Sequence, residues 1–263
     1  MKNKKVILTV VITVLVLLIA GSGGYILFKN INNRQSSEKY DNLASSYAKL
    51  SESSTSQTEG ASSSAKPNPI DFSSLKKENP DIYSWINVSG TEVNYPVLQS
   101  STNDNFYIDH GVDKEYSFAG AIYSQFCNHL DYSDRVTVLY GHNMADNSMF
   151  ASLHSFEDED FFKKNSEITV YTPDTQLDFT VVSAYVFDDS HIMNCYDFKK
   201  DEVYQNFLDG VLHPHSISSN VRDGAKLDIT DRILILSTCL NYGEGRYLVV
   251  GKLTKETPLS DYR

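Results

Sequence analysis

The sequence predicts a mainly β fold, a closed eight-stranded barrel with helices laid on its outside, preceded by a membrane-spanning helix. Three observations carry this. Eight short apolar runs are separated by turn signals such as Ser89-Gly90 and Thr172-Pro173-Asp174. Few segments show helical spacing, so a sheet must bury itself by closing rather than by helices on both faces. Val6 to Phe28 runs 23 residues without a charged side chain, long enough to cross a hydrocarbon core.

The N-terminus sets the compartment. Lys2, Lys4 and Lys5 precede the apolar stretch, and Lys29 and Arg34 follow it. This asymmetry is modest and favours the N-terminus inside, with the body of the chain outside the cell. The small residues Ala20 to Gly24 also fit a cleaved signal, but apolar Tyr25-Ile26-Leu27-Phe28 continues past them and favours an uncleaved anchor. Residues 1–34 hold five basic and no acidic side chains, so the chain's net charge of −11 leaves −16 on the rest. An acidic body argues against nucleic acid or anionic lipid as its partner.

Residues 35–69 read as an extracellular stalk. Tyr40, Leu43, Tyr47 and Leu50 recur at helical spacing and predict a short helix over 37–50. Ser51 to Ala65 is Ser/Thr-rich and too poor in apolar side chains to fold. Residues 70–263 are enough for one domain with a real core. There a broken helix is expected over 71–85, with Pro80 dividing it. Strands are expected at 85–88, 93–97, 120–123, 136–140, 168–171, 177–187, 233–238 and 247–253. Helical patterns follow at 149–156, 159–163 and 201–212, the last with Val203, Phe207 and Val211 on one face.

The chemistry-bearing residues sit at strand ends. The apolar run Ile233 to Leu236 leads through Ser237 and Thr238 to Cys239, and seven residues later Arg246 opens a second apolar run. Tyr140-Gly141-His142-Asn143-Met144 puts a histidine at another strand end. A cysteine attacks as thiolate and is mostly thiol near neutrality, so a neighbouring cation helps. Arg246 offers a permanent charge, and histidine is the residue type that exchanges protons near neutrality. Taken singly, each has an ordinary structural reading: core thiol, turn histidine, surface cation. The other cysteines, Cys127 and Cys195, lack metal-ligand spacing, and His213-Pro214-His215 reads as a surface loop. An odd count of three outside the cell leaves at least one thiol free, and whether Cys127 and Cys195 pair stays open.

Together these motifs resemble a known family. Leu236-Ser237-Thr238-Cys239 resembles the nucleophile strand of sortases, and Arg246 matches their arginine. Tyr140 to Met144, followed by Ser148-Met149-Phe150 and Leu153, is similar to the histidine stretch of class B sortases. Trp85 to Thr91 and Tyr95-Pro96-Val97 are similar to their opening strands. The resemblance spans Asp71 to Leu253 and implies a membrane-anchored cysteine transpeptidase of a Gram-positive bacterium. Cys239 would attack a carbonyl within a C-terminal sorting motif of a secreted protein and form a thioester. His142 would protonate the leaving amine, Arg246 would stabilise the oxyanion, and a peptidoglycan-precursor amine would resolve the thioester. No metal or organic cofactor is implied. Asp104 and Ile108 fall where class B sortases place groove residues, and Ser237 and Thr238 lie beside the nucleophile, so all four are candidate substrate contacts. The short Cys-to-Arg turn and apolar Leu240 depart from the class B pattern. A pilin-polymerising sortase and a non-catalytic tethered binding module are the alternatives. A papain-like enzyme is opposed by residue order, because His142 precedes Cys239 and Cys239 ends a strand.

Overall fold

The computed structural model describes residues 2–49, 66–216, 218–241 and 243–262. The elements are helix α1 (Lys2–Tyr47), strand β1 (Lys66–Pro67), helix α2 (Phe72–Glu78), and strands β2 (Ile82–Val88), β3 (Asn94–Leu98), β4 (Ile122–Tyr123) and β5 (Val136–Tyr140). Helix α3 (Glu159–Lys164), strands β6 (Glu167–Tyr171) and β7 (Thr175–Phe187), and helices α4 (Ile192–Cys195) and α5 (Asp201–Leu212) follow. Strands β8 (Ser219–Val221), β9 (Ile233–Cys239) and β10 (Arg246–Ser260) complete the chain. All eight expected strands are present. Eight strands form a ring in the order β10-β9-β5-β4-β3-β2-β6-β7, closed by β10 pairing back onto β7. Closure satisfies both edges of the sheet. The short strands β1 and β8 add to the outside of β10 and β7.

The run Ile233 to Leu236 is apolar on both faces for a packing reason. Leu234 and Leu236 join the large core cluster with Tyr247 and Val249 of β10. Ile233 and Ile235 join a second cluster, with Leu248 and Val250, under Tyr204, Phe207, Leu208 and Val211 of α5. The strand therefore alternates between two buried faces, which suppresses the usual apolar–polar alternation.

The expected broken helix over 71–85 is corrected. Asp71 caps α2 by accepting from the Ser74 amide at 3.0 Å. The helix stops at Glu78 because Asn79 precedes Pro80 and is held extended at φ −151°. Ile82 and Trp85 then belong to β2, where both are fully buried. The pattern over 149–156 forms a 3-10 turn, Ala151–Glu157.

The short helix expected over 37–50 is instead the end of α1, which is continuous from Lys2 to Tyr47. Its N-terminal half exposes apolar side chains from Ile7 to Ile31, and the helix is long and apolar enough to cross a membrane. Its C-terminal end packs on the domain. Tyr40 is 2 % exposed; its hydroxyl donates to the Gly120 carbonyl at 2.9 Å and accepts from the Val112 amide at 3.2 Å. Lys39 pairs with Asp113, and Leu43, Ala44 and Tyr47 touch the core. The end of α1 from Ser36 to Tyr47 thus packs against the barrel. The Ser-rich segment 51–65 of the expected stalk lies outside the described residues.

Candidate active site

Cys239 is the last residue of β9 and Arg246 the first of β10, and the two face each other as the terminal pair of that ladder. The Arg246 guanidinium donates from Nη1 to the Cys239 sulfur at 2.8 Å. A fixed positive charge therefore touches the sulfur that becomes negative when it attacks. Gly245 makes the turn possible. It sits at φ +126°, and a Cβ there would lie 2.7 Å from the Phe187 carbonyl.

Strand β5 runs parallel to β9, and Tyr140 pairs with Ser237. The Gly141 amide extends this ladder by donating to the Ser237 carbonyl at 3.2 Å. His142 follows at the same mouth of the barrel. Gly141 has to be glycine for packing reasons: a Cβ would lie 2.6 Å from Ile122 Cδ1 and 2.7 Å from the Phe150 ring. His142 Nε2 lies 2.6 Å from the Ile108 carbonyl. A carbonyl only accepts, so Nε2 carries the hydrogen. The ring is also stacked on Phe118, with planes 11° apart. His142 thus meets Ile108 rather than the thiol. Asn143 makes the link, donating from Nδ2 to the Cys239 carbonyl at 3.1 Å and to Asn241 Oδ1 at 2.9 Å.

The remaining expected site residues divide into two pairs. Ser237 and Thr238 are buried in the barrel wall, 4 % and 1 % exposed, and the Thr238 hydroxyl has no protein partner. Asp104 accepts from the Phe126 amide at 2.7 Å, and its charge acts on Tyr123 and Tyr140. Ile108 leaves its side chain 44 % exposed while its carbonyl holds His142. Burial pushes the Tyr123 phenol up to about 12, against the opposing pull of Arg246, and burial raises Tyr140 further. Both stay protonated near neutrality and are hydrogen-bond donors beside the site. The hydroxyl of Tyr140 is buried without a protein partner. All three cysteines are free.

The barrel finds counterparts in known proteins. The Sortase domain family model matches residues 86–254, which is well over half of the chain. The chain belongs to the sortase family. Sortase B of Staphylococcus aureus (strain NCTC 8325 / PS 47) is 34% identical over 253 residues, covering 94% of this chain and 97% of that one. Sortase B of Listeria monocytogenes serovar 1/2a is 32% identical over 182 residues, covering 68% and 72%. Among solved structures, Clostridium perfringens sortase B superposes with a TM-score of 0.63 at 35% identity, covering 70% of this chain and 99% of that one. A Staphylococcus aureus sortase B–substrate complex superposes at 0.65 with 28% identity, covering 86% and 99%. The chain is therefore a sortase-type cysteine transpeptidase, most similar to class B sortases.

Sequence reasoning missed three contributors to this sortase site. Asn143 was visible only as the neighbour of His142. Phe118 lies in a loop with no periodicity. His154 is brought to the Cys239 carbonyl by a 3-10 turn that follows no simple pattern.

Proposed function

We propose that this sortase is anchored in the cell membrane by the apolar half of α1, with its barrel outside the cell, and that it attaches secreted proteins to a cell-wall amine. The observation that carries this reading is the 2.8 Å contact between Arg246 and the Cys239 sulfur at a barrel mouth shared with His142. In the first step the thiolate of Cys239 attacks a backbone carbonyl carbon in the C-terminal sorting motif of a secreted protein. The guanidinium of Arg246 supports the oxyanion that forms. The C–N bond breaks, His142 gives a proton to the departing amine, and a thioester remains on Cys239. In the second step a peptidoglycan-precursor amine attacks the thioester carbonyl and gives a proton to His142, which is thereby restored. The C–S bond breaks, the new amide leaves, and the thiolate returns. Water in place of the amine gives hydrolysis. Asp104 and Ile108 face the bound peptide, and Ser237 and Thr238 form the wall behind the nucleophile. That a Staphylococcus aureus sortase B has been solved as a substrate complex supports substrate binding by this fold.

The test is intact-protein mass spectrometry of the full chain mixed with peptides of the Asn-Pro-x-Thr-x and Leu-Pro-x-Thr-Gly patterns. An acyl adduct should appear on the wild type and be absent from Cys239→Ala. Peptide cleavage by Cys239→Ala would overturn the mechanism. Release of the adduct by an added oligoglycine amine identifies the second step.

A further inference from the structure

We propose that His154 is a positioning residue for the Cys239–Arg246 pair; the proposal rests on the transpeptidase reading of that pair. His154 is conspicuous because it lies in the 3-10 turn Ala151–Glu157, outside both strands, yet touches each of them at its chemical end. Its Nε2 lies 3.0 Å from the Cys239 carbonyl oxygen. Its ring stacks on Tyr247, the residue after Arg246, with centroids 4.9 Å apart and planes 21° apart. Its Nδ1 is anchored by Glu157 Oε1 at 2.5 Å, and only 11 % of its side chain is exposed. One half-buried imidazole therefore contacts both the end of β9 and the start of β10.

The sheet alone leaves this place under-determined. The β5 ladder stops at Ser237, two residues before the nucleophile, and the β10 ladder stops at Cys239 itself. Past that point the chain turns away through Leu240 and Asn241. Two side-chain nitrogens instead stand on the Cys239 carbonyl, Asn143 Nδ2 at 3.1 Å and His154 Nε2 at 3.0 Å, and they lie 3.1 Å from each other. With Nδ1–H on Glu157, Nε2 donates to the carbonyl when the ring carries both hydrogens and otherwise accepts from Asn143, bracing the carbonyl through it. A carbonyl oxygen accepts two hydrogen bonds, so in the first case both are accommodated. Fixing this peptide plane fixes the direction of the Cys239 Cα–Cβ bond, and hence whether the sulfur meets Nη1 of Arg246. A misplacement of about 1 Å in a reacting group costs on the order of 100-fold in rate.

Packing and hydrogen bonding are separated by two replacements. His154→Phe keeps the ring against Tyr247 and removes both hydrogen bonds. His154→Gln gives up the ring and restores an N–H donor toward the carbonyl. The full-length protein in detergent is assayed with quenched peptides of the two patterns above, and separately by the rate at which iodoacetamide alkylates Cys239. His154→Phe should lower kcat by about 10–100-fold with KM within about two-fold, and should slow alkylation, while its thermal midpoint stays near that of the wild type. His154→Gln should recover most of kcat. Wild-type kcat in His154→Phe overturns the proposal, and so does a His154→Gln variant as impaired as His154→Phe. If the wild type cleaves none of the peptides, the proposed sorting motifs are wrong and the alkylation rate alone decides: equal rates in wild type and His154→Phe overturn the positioning role, and a slowed rate in His154→Phe upholds it.

Discussion

Arg246 and Cys239 close the β9–β10 ladder as its last pair, and the guanidinium reaches back along its own strand end to donate to the sulfur. This contact makes the arginine's shape matter as well as its charge. A guanidinium has several donors in a fixed plane, so one can stay on the sulfur while another meets a developing oxyanion; an ammonium is a single point charge. Arg246→Ala should lower kcat by about 10²–10³-fold, the cost typical of removing one oxyanion donor. Arg246→Lys should recover only part of it. Steady-state cleavage of a quenched sorting peptide reads both, and wild-type turnover by the alanine variant would remove Arg246 from the mechanism.

His142 should behave as a separate component. Its Nε2 hydrogen is parked on the Ile108 carbonyl, so delivering a proton requires the ring to leave that contact. His142→Ala should reduce kcat by about 10²–10⁴-fold, the usual range for a lost general acid. Phe118→Ala removes the stacking face but no proton, and should cost much less than His142→Ala. If the two variants were equally impaired, the loss would be one of ring placement rather than of proton transfer.

The α1 contact should be worth measurable stability. Tyr40 satisfies the Gly120 carbonyl and the Val112 amide through one buried hydroxyl. Tyr40→Phe leaves both without that partner, at a cost of about 1–3 kcal/mol. Denaturant unfolding of the full chain in detergent measures it. A midpoint unchanged from the wild type would mean that the end of α1 does not stay docked in solution.

What the sequence made legible follows from periodicity. Ile233 to Cys239 and Val136 to Tyr140 are legible as strands because short, strongly apolar runs rich in β-branched residues have few other ways to be buried. Residues 71–85 misled because Phe72, Leu75, Ile82 and Trp85 also fit a helix, and only the backbone restriction before Pro80 decides between helix and strand. The link between Tyr40 and Gly120 spans 80 residues and leaves no local trace. The site was read as three separate strand ends. The side chains that join them, Asn143 and His154, act through a backbone carbonyl, and that kind of contact has no sequence signature.

Gly141→Ala should damage the site through packing. The added methyl would press on the Phe150 ring and on Ile122, both fully buried, so neither has free space to yield. Overpacking of this kind costs about 1–3 kcal/mol. Because Gly141 precedes His142 directly, relief of the strain should also displace the histidine. Both the denaturation midpoint and kcat should fall, whereas an alanine at Gly210, where nothing lies within 4 Å, should leave kcat unchanged.

Cys127 gives a pH prediction whose sign is fixed by its surroundings. Burial and the nearby charge of Asp104 both push its thiol up from the ordinary value. A raised thiol pKa means less thiolate at any given pH, and only thiolate is alkylated. An ordinary cysteine is a few per cent ionised near neutrality, and Cys127 should fall below that. In a Cys239→Ala, Cys195→Ser background, iodoacetamide should label Cys127 slowly at pH 7, with the rate rising only in the alkaline range. Asp104→Asn removes one cause and leaves burial and the charge of Asp134, so the rate profile should move to lower pH. A profile that stays in place would mean that the charge of Asp104 does not reach the thiol. Labelling at pH 7 as fast as that of a free cysteine would mean that the thiol stands in open solvent.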